Sequence, residues 1–452
     1  MSIELNLTDK KIINEIEDRI KVDDLYLDFL GENTKYLTHG YHSYPAMMIP
    51  QVTRTFLEIT LKYQPNIKNL YDPFVGSGTS LVEGIVHGLN VFGVDINPLS
   101  TFMSKAKTQA IQPDVLQDSI ADLKNSIYSM YNLYKEGKYK IGNLPEFTRI
   151  DFWFKPDVVK MLQLIKNCIL EFTDSKLKTF YFAAFSETVR YVSNTRNNEF
   201  KLYRMAPENL EVWDPDVIEI FFRNLKRNLI GNNELYYELK KQNPVSKPTI
   251  DIRRESSSRI PEAYKNSMDI VITSPPYGDS KTTVAYGQFS RLSLQWLNLN
   301  LDNTTKINQL DNLMLGGKVN KEINIDIILE NLNSESLKET YKEIDAIDTK
   351  RSKEVLQFYI DLNETIMATA EAMKTNTYQF WVVANRTVKL TNIPTDKIIG
   401  ELFEKYNVQH LHSFYRHIPN KRMPSKNSPT NKIGNHAVTM SSEIILMLRK
   451  IV

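Results

Sequence analysis

The sequence contains a single cysteine, Cys168, among its 452 residues. One cysteine excludes an intramolecular disulfide framework and any zinc cluster built on several thiolates. Cys168 follows Asn167 inside an amphipathic stretch, so we predict a packed thiol and not a reactive one.

Long apolar runs are also missing. The first residues, "MSIELNLTDKK", lack the apolar core of a signal peptide, and no stretch approaches the length of a transmembrane helix. We therefore expect a soluble cytoplasmic protein without a membrane partner or a bound metal.

Net charge is low as well: 56 basic and 54 acidic residues give +2, so any surface for nucleic acid must come from local clusters of cations.

The composition that remains, 42% hydrophobic and 24% charged, is ordinary for a globular protein. At this length the chain is expected to form two lobes, or one core with large insertions.

One stretch, "SMDIVITSPPYGDS" at 267–280, combines a strand pattern with a stiff corner. Pro275 and Pro276 must end a strand running from Asp269 to Thr273, because proline lacks an amide hydrogen and restricts the residue before it. An exit turn and a polyproline recognition peptide are two ordinary interpretations. A third is functional, since open α/β sheets bind ligands at the carboxyl ends of parallel strands.

A second motif reads "NLYDPFVGSGTSLVEGIVHGLNVFGVDINPL" at 69–99. It predicts a strand at Leu70-Tyr71, a glycine turn, a helix over 80–87 and a second strand, which together form a βαβ unit. Asp95 lies about 20 residues beyond the loop, where such folds place a carboxylate on ribose hydroxyls.

The loop departs from both common nucleotide patterns. Its spacing is not G-x-G-x-x-G, and no lysine follows it as in a triphosphate-binding loop. Asp72, which leads the loop, suits a ligand with a positive amino group, and adenosine with an amino-acid tail is such a ligand.

Taken together, "YDPFVGSGT", "GVDINP" and "DIVITSPPY" resemble the amino-group DNA methyltransferases that use S-adenosylmethionine, most closely those that make N4-methylcytosine. Upstream, "HGYHSYPAMMIPQVTRTFLEIT" is similar to the family's leading helical motif, with Met47 where lysine is more usual. The resemblance covers roughly 36–108, 249–290 and 355–450.

The resemblance implies a set of cofactor-binding residues. Counting back from Asp269 places the family's third-strand acid on Ser256, with Glu255 one step away. The complete set is Tyr44, Pro45, Ala46, Asp72, Phe74, Gly76, Gly78, Thr79, Asp95, Ile96, Glu255 and Ser256.

The catalytic residues implied by the resemblance are Ser274, Pro275, Pro276 and Tyr277. Hydrogen bonds from an exocyclic amine to the Ser274 hydroxyl and the Pro275 carbonyl would draw its nitrogen out of the ring plane toward the methyl group. Tyr277 would stack on the extruded base. Ser at the first position favours cytosine N4 over adenine N6.

Two insertions interrupt the predicted core. Residues 110–248 read mainly as helices, including "VVKMLQLIKNCILEF" and "IEIFFRNLKRNLI", and 282–350 begins with "TTVAYGQFSRLSLQW", which could shape the substrate pocket. Basic and amide residues at 190–204, and a basic loop at 415–432, are candidate DNA contacts. These candidates are Arg190, Asn194, Arg196, Lys201, Arg204, Arg416, Lys421, Arg422 and Lys426.

We therefore predict an α/β fold, with a doubly wound Rossmann-like class I methyltransferase core and a largely helical inserted domain. Residues 1–35 form an N-terminal helical extension, 36–109 and 249–452 form the core, and 110–248 form the candidate target-recognition region. The expected partner is double-stranded DNA, and the resemblance leaves open a cognate restriction endonuclease. Adenine-N6 methylation, RNA or protein-amide methylation and a non-catalytic DNA-binding module remain as alternatives.

Overall fold

The computed structural model describes residues 5–196, 199–242, 247–279, 282–299, 306–320, 324–418 and 442–451, together with the backbone of 426–427 and 437–438. Seven strands form its central sheet. They are β1 Asn69–Asp72, β2 Asn90–Val94, β3 Ile250–Arg253, β4 Met268–Thr273, β5 Met373–Val383, β6 Val408–His417 and β7 Ser442–Lys450.

The strand order is β3-β2-β1-β4-β5-β7-β6. Strands β1 to β5 pair in parallel, whereas β7 is antiparallel to both of its neighbours, β5 and β6. The first residues of β7 therefore lie at the same edge of the sheet as the carboxyl ends of the parallel strands. This edge is where an open α/β sheet binds its ligand.

Sixteen α-helices lie in the described part of the chain. In chain order they are α1 Leu7–Val22, α2 Pro50–Tyr63, α3 Thr79–Val86, α4 Pro98–Thr108, α5 Pro113–Lys135, α6 Ile150–Trp153, α7 Pro156–Leu170, α8 Ser175–Val192, α9 Pro207–Val212, α10 Val217–Lys241, α11 Tyr286–Leu297, α12 Leu310–Leu313, α13 Ile325–Leu332, α14 Glu335–Asp345, α15 Thr349–Ala372 and α16 Thr395–Glu404. None of them is both long and apolar enough to cross a bilayer.

Helices cover both faces of the sheet, as a doubly wound fold requires. Alternate residues of β5 show the division: Phe380 and Val382 pack into one apolar cluster with α2 and α3, whereas Trp381 and Val383 pack into another with α15 and α16. The predicted α/β core with helices on both faces is therefore present.

The insertion at 110–248 contains helices α5 to α10, in agreement with the prediction that it is mainly helical. Its apolar cluster also contains Leu99 and Met103 of α4 and Phe289 and Trp296 of α11. Helix α10 approaches the core closely, because a Cβ at Gly231 would overlap the carbonyl oxygen of Leu37. The insertion thus packs directly on the core and on α11, which belongs to the second insertion at 282–350.

Candidate active site

A cavity that is partly open to solvent lies at the carboxyl ends of β1, β2 and β4. Residues from both sequence motifs line it. The predicted site residues among them are Tyr44, Pro45, Ala46, Asp72, Phe74, Gly76, Thr79, Asp95, Ile96, Ser256, Ser274 and Pro276.

The two glycines of the loop have different positions. Gly76 has φ +49° and lines the cavity, where its amide donates to Oδ2 of Asp95 at 3.0 Å. Gly78 has φ +86°, is the N-cap of α3 and does not line the cavity. A Cβ at Gly78 would lie 2.9 Å from Cα of Ser104. Gly78 therefore permits the packing of the loop on α4.

Asp72, at the end of β1, is a buried carboxylate that accepts three hydrogen bonds. Oδ1 accepts from the Phe74 amide at 2.9 Å and from the Thr273 hydroxyl at 2.5 Å, and Oδ2 accepts from the Ser80 hydroxyl. Burial raises the pKa of Asp72 to about 6, although the hydrogen bonds act in the opposite direction. A cation bound in the cavity would favour its ionised form.

Asp95 follows β2 and lines the same cavity. Besides the Gly76 amide, it accepts from the Asn97 amide at 2.8 Å through Oδ1. Burial raises the pKa of Asp95 to about 6, and again the backbone hydrogen bonds lower it. A carboxylate with a lone pair left for ligand hydroxyls is what a ribose site requires.

The leading motif contributes a further part of the cavity wall, through Tyr44, Pro45 and Ala46. Tyr44 precedes α2, and its hydroxyl lies 2.6 Å from Oγ of Ser100 and accepts from Nδ2 of Asn97 at 3.0 Å. Its ring centroid is 5.9 Å from that of Tyr286, another lining residue. These contacts hold the segment before α2 in place over the cavity.

The proline corner, Ser274 to Tyr277, follows β4, whose six residues are all buried. Ser274 and Pro276 line the cavity, and Pro275 is buried behind them. Tyr277 is half-buried and does not line the cavity, but Oγ of Ser274 donates to its hydroxyl at 3.5 Å. The Tyr277 hydroxyl donates in turn to Oε1 of Glu443 at 2.9 Å. Burial, with a smaller contribution from Glu443, raises the pKa of Tyr277 well above its ordinary value.

Several functional positions were not found from the sequence. Met47 and Met48 adjoin predicted residues, and Tyr286 lies at the start of the second insertion, 282–350, in the segment that was expected to shape the pocket. Glu443, on the last strand, had no sequence signal because it reaches Tyr277 only through the fold. The other unpredicted lining residues are Pro73, Val75, Ser77, Ser80, Ser257, Leu313, Met314 and Leu315.

Three predicted DNA contacts require correction, because their side chains are buried and bonded within the protein. Arg190 packs over the Phe289 ring at 3.8 Å and donates to the carbonyl of Glu199 at 2.6 Å. Asn194 donates to the carbonyl of Phe152 at 3.2 Å. Arg416 forms an ion pair with Glu443 and lies in β6 instead of a loop.

The other DNA candidates differ in exposure. Arg196 is exposed and pairs with Glu199, whereas Lys201 and Arg204 are half-buried, with Arg204 over the Phe152 ring at 4.3 Å. Lys421, Arg422 and the side chain of Lys426 lie outside the described residues.

Glu255 and Ser256 follow β3, as expected for the third-strand position. Ser256 lines the cavity, whereas Glu255 is exposed and does not. Among the described residues, no group of three or more histidine, cysteine or carboxylate side chains is placed to hold a metal ion.

Comparison with known proteins gives three relatives. The chain is 62% identical to the type II methyltransferase M.MvaI of Kocuria varians over 446 residues, which cover 98% of each protein. It is 35% identical to the type II methyltransferase M.MjaII of Methanocaldococcus jannaschii over 123 residues, 26% of this chain and 21% of the relative. It is 22% identical to the type II methyltransferase M.BsoBI of Geobacillus stearothermophilus over 296 residues, 62% of this chain and 56% of the relative.

No family model matches the chain. Among solved structures, the rRNA methyltransferase aviRa from Streptomyces viridochromogenes aligns with 91% of this chain and 89% of its own, at 12% identity and a TM-score of 0.31. That similarity is too low to support an argument about the site.

Proposed function

The chain belongs to the type II DNA methyltransferases, and we propose that it transfers the methyl group of S-adenosylmethionine to the exocyclic N4 amine of cytosine within a specific sequence of duplex DNA. One observation carries the proposal. Ser274 and Pro276 of the proline corner line the same cavity as Asp72, Gly76 and Asp95 of the cofactor loop. A methyl donor and an acceptor amine held by these two motifs would share one site.

The residues of the cavity fit S-adenosylmethionine by their chemistry. Asp72 offers a buried carboxylate to an ammonium group, and Asp95 offers one to ribose hydroxyls. Ile96 and Tyr286 supply apolar surface for an adenine ring. When bound, the cofactor supplies a methyl group on a positively charged sulfur, which makes the methyl carbon electrophilic.

In this proposal the proline corner orients the exocyclic amine of the target base. The lone pair of an exocyclic amine is delocalised into the base, so the amine is a weak nucleophile. Hydrogen bonds from its two N–H groups to Oγ of Ser274 and the carbonyl oxygen of Pro275 would hold the nitrogen with its lone pair directed at the methyl carbon. The stiffness of two consecutive prolines keeps both acceptors in place before substrate binds.

Cytosine is preferred over adenine because the corner begins with serine. The methyltransferases that this chain resembles mostly act on cytosine N4 when the corner reads Ser-Pro-Pro-Tyr, and on adenine N6 when it begins with Asp or Asn. Adenine N6 is the second candidate. Methylation of RNA or of a protein amide, and DNA binding without catalysis, are less favoured because a large helical insertion and two intact motifs accompany the serine.

The surface that reads DNA also belongs to this proposal. Arg196, Lys201 and Arg204 of the insertion, together with Lys421, Arg422 and Lys426, remain the candidates for contacts with DNA. A restriction endonuclease that cuts the same sequence is the proposed cellular partner.

The deciding experiment is incubation of the protein with duplex DNA and radiolabelled S-adenosylmethionine, followed by chromatography of the nucleosides. We expect label in N4-methylcytosine. Label in N6-methyladenine alone would overturn the choice of base, and label in tRNA or protein but not in DNA would overturn the substrate class. Sequencing of the modified DNA would give the recognition sequence from the same reaction.

A further inference from the structure

A chain of hydrogen bonds leads from the cavity to the last strand of the sheet. Oγ of Ser274, which lines the cavity, donates to the Tyr277 hydroxyl at 3.5 Å, and that hydroxyl donates to Oε1 of Glu443 at 2.9 Å. The first bond is longer than an ordinary O–H···O bond. Bonds of this kind commonly shorten once the substrate is bound.

Glu443 determines which group donates and which accepts in this series of hydrogen bonds. An ionised carboxylate can accept hydrogen bonds but cannot donate them, whereas each hydroxyl has one proton and two lone pairs. The Tyr277 proton must therefore point at Glu443. The oxygen of Tyr277 is then free to accept the Ser274 proton, which leaves the lone pairs of Ser274 for the cavity.

We propose that Glu443 is a specificity-determining positioning residue, which makes Ser274 a hydrogen-bond acceptor and so selects a base that presents an amine. The inference rests on the proposed function, since it requires an exocyclic amine as the target. Cytosine offers N–H donors to such an acceptor. Uracil offers only a carbonyl oxygen at the same position, and its lone pairs would face those of Ser274.

Glu443 is itself held by neighbouring strands. It lies opposite Arg416 in the pairing of β7 with β6, and Nη1 of Arg416 donates to its Oε2. Nε of Arg416 donates to the carbonyl of Leu27 at 3.0 Å. Arg416 is almost fully buried, with 5% of its surface exposed. Each oxygen of the carboxylate thus has its own donor, Tyr277 on one and Arg416 on the other.

This arrangement predicts a specific effect of Glu443→Gln. Arginine has only donors, so the glutamine side chain would turn its oxygen toward Arg416 and its NH₂ group toward Tyr277. Tyr277 would then accept from the amide and donate to Ser274, and the Ser274 proton would point into the cavity. The chain would run in reverse and would favour a carbonyl over an amine.

The test measures binding of two duplexes that carry the recognition sequence with cytosine or uracil at the target position. S-Adenosylhomocysteine replaces the cofactor, so that no transfer occurs. The mispairing of uracil with guanine contributes equally for every variant and cancels when their cytosine-to-uracil affinity ratios are compared. We expect Glu443→Gln to lower this ratio by roughly tenfold or more relative to wild type. If the target proves to be adenine, hypoxanthine takes the place of uracil.

Two further variants separate this role from a structural one. Tyr277→Phe breaks the chain, so it should lower the ratio, and Glu443→Gln added to it should change the ratio less than about twofold. Glu401→Gln is the control, because Glu401 is also a carboxylate that accepts hydrogen bonds, here from the hydroxyls of Ser334 and Ser336, which take no part in the chain of bonds from Ser274 to Glu443. Its ratio should equal that of wild type.

An unchanged ratio in folded Glu443→Gln would overturn the inference. If that variant does not fold, Tyr277→Phe decides, and retention of the full wild-type ratio would overturn it. Failure of the proposed function would look different, because wild-type protein would then methylate no amine in DNA.

Discussion

The hydroxyl of Thr273 donates to Oδ1 of Asp72 at 2.5 Å, and this bond joins the residue before the proline corner to the residue that leads the glycine loop. Thr273 is fully buried, and Asp72 is 3% exposed. The two motifs are 201 positions apart in the chain. Their relative position at the edge of the sheet therefore depends on a direct contact and not only on the pairing of β1 with β4.

Replacement of this hydroxyl should affect both stability and cofactor binding. In Thr273→Val the side chain keeps its shape, but the buried Asp72 loses one of three donors. We expect the free energy of unfolding to fall by about 1–3 kcal/mol, with weaker binding of S-adenosylhomocysteine in calorimetry. Thr273→Ser restores the donor and should recover most of both losses. Wild-type values for Thr273→Val would show that the bond contributes nothing.

The pKa values of Asp72 and Asp95 predict how cofactor binding depends on pH. Burial raises the pKa of each to about 6, and the ionised forms are the ones that would accept from an ammonium group and from ribose hydroxyls. Affinity for S-adenosylhomocysteine should be constant from pH 8 to 7 and should fall as the pH drops through about 6. Titration calorimetry at several pH values measures this directly. Affinity that stays flat down to pH 5 would contradict it.

The same two groups should act in the opposite sense on the stability of the protein without ligand. Their folded-state pKa lies above the ordinary aspartate value of 3.8. Their contribution to stability is therefore complete below about pH 4 and is lost as the pH rises through about 6. Asp95→Asn should remove part of this pH dependence in thermal unfolding, and it should also weaken cofactor binding.

Loss of the corner side chains should separate catalysis from cofactor binding. Ser274→Ala removes the acceptor for the amine, and Tyr277→Ala removes the aromatic ring and the link to Glu443. We expect each to lower the methylation rate by about a hundredfold or more, while the affinity for S-adenosylhomocysteine stays within about threefold of wild type. Unchanged rates in both variants would refute the chemistry assigned to the corner.

Arg190 should behave as a structural residue. Its guanidinium is buried against Phe289, and desolvation lowers its pKa to about 10. Arg190→Ala should reduce the free energy of unfolding by roughly 2–4 kcal/mol, because it removes a charged hydrogen bond and a cation–π contact together. The exposed Arg196 is the control, and Arg196→Ala should cost less than about 0.5 kcal/mol. Chemical denaturation of both variants tests the difference.

Local pattern was sufficient to predict most of the elements around the site. The strand "SEIILMLRK" corresponds to β7 at 442–450, and the buried strand before the proline corner differs from β4 by one residue. The glycine loop, Asp95 and the proline corner were predicted to share a site, and they line one cavity. These features depend on residues that are close in sequence, or on the rule that parallel strands end at one edge.

Contacts between distant segments could not be predicted in this way. Arg190 and Arg416 were interpreted as exposed cations, because residue type gives no indication of burial. Their partners, Phe289 and Glu443, are 99 and 27 positions away, on other elements. The segment that contains Tyr286 was expected to shape the substrate pocket, and Tyr286 lines the cavity, whereas Leu313–Leu315 reach it from later in the same insertion without a motif that indicates them.

The position of β7 as the last of the seven sheet strands in the chain has a consequence for the order in which the site is assembled. Because this strand follows every other strand of the sheet, translation delivers Glu443 long after the glycine loop and the proline corner have left the ribosome. A nascent chain could close its cofactor crevice while the serine at the corner still lacked a defined proton direction. On the role proposed for Glu443, this serine would gain its proton direction only after β7 has taken its place between β5 and β6.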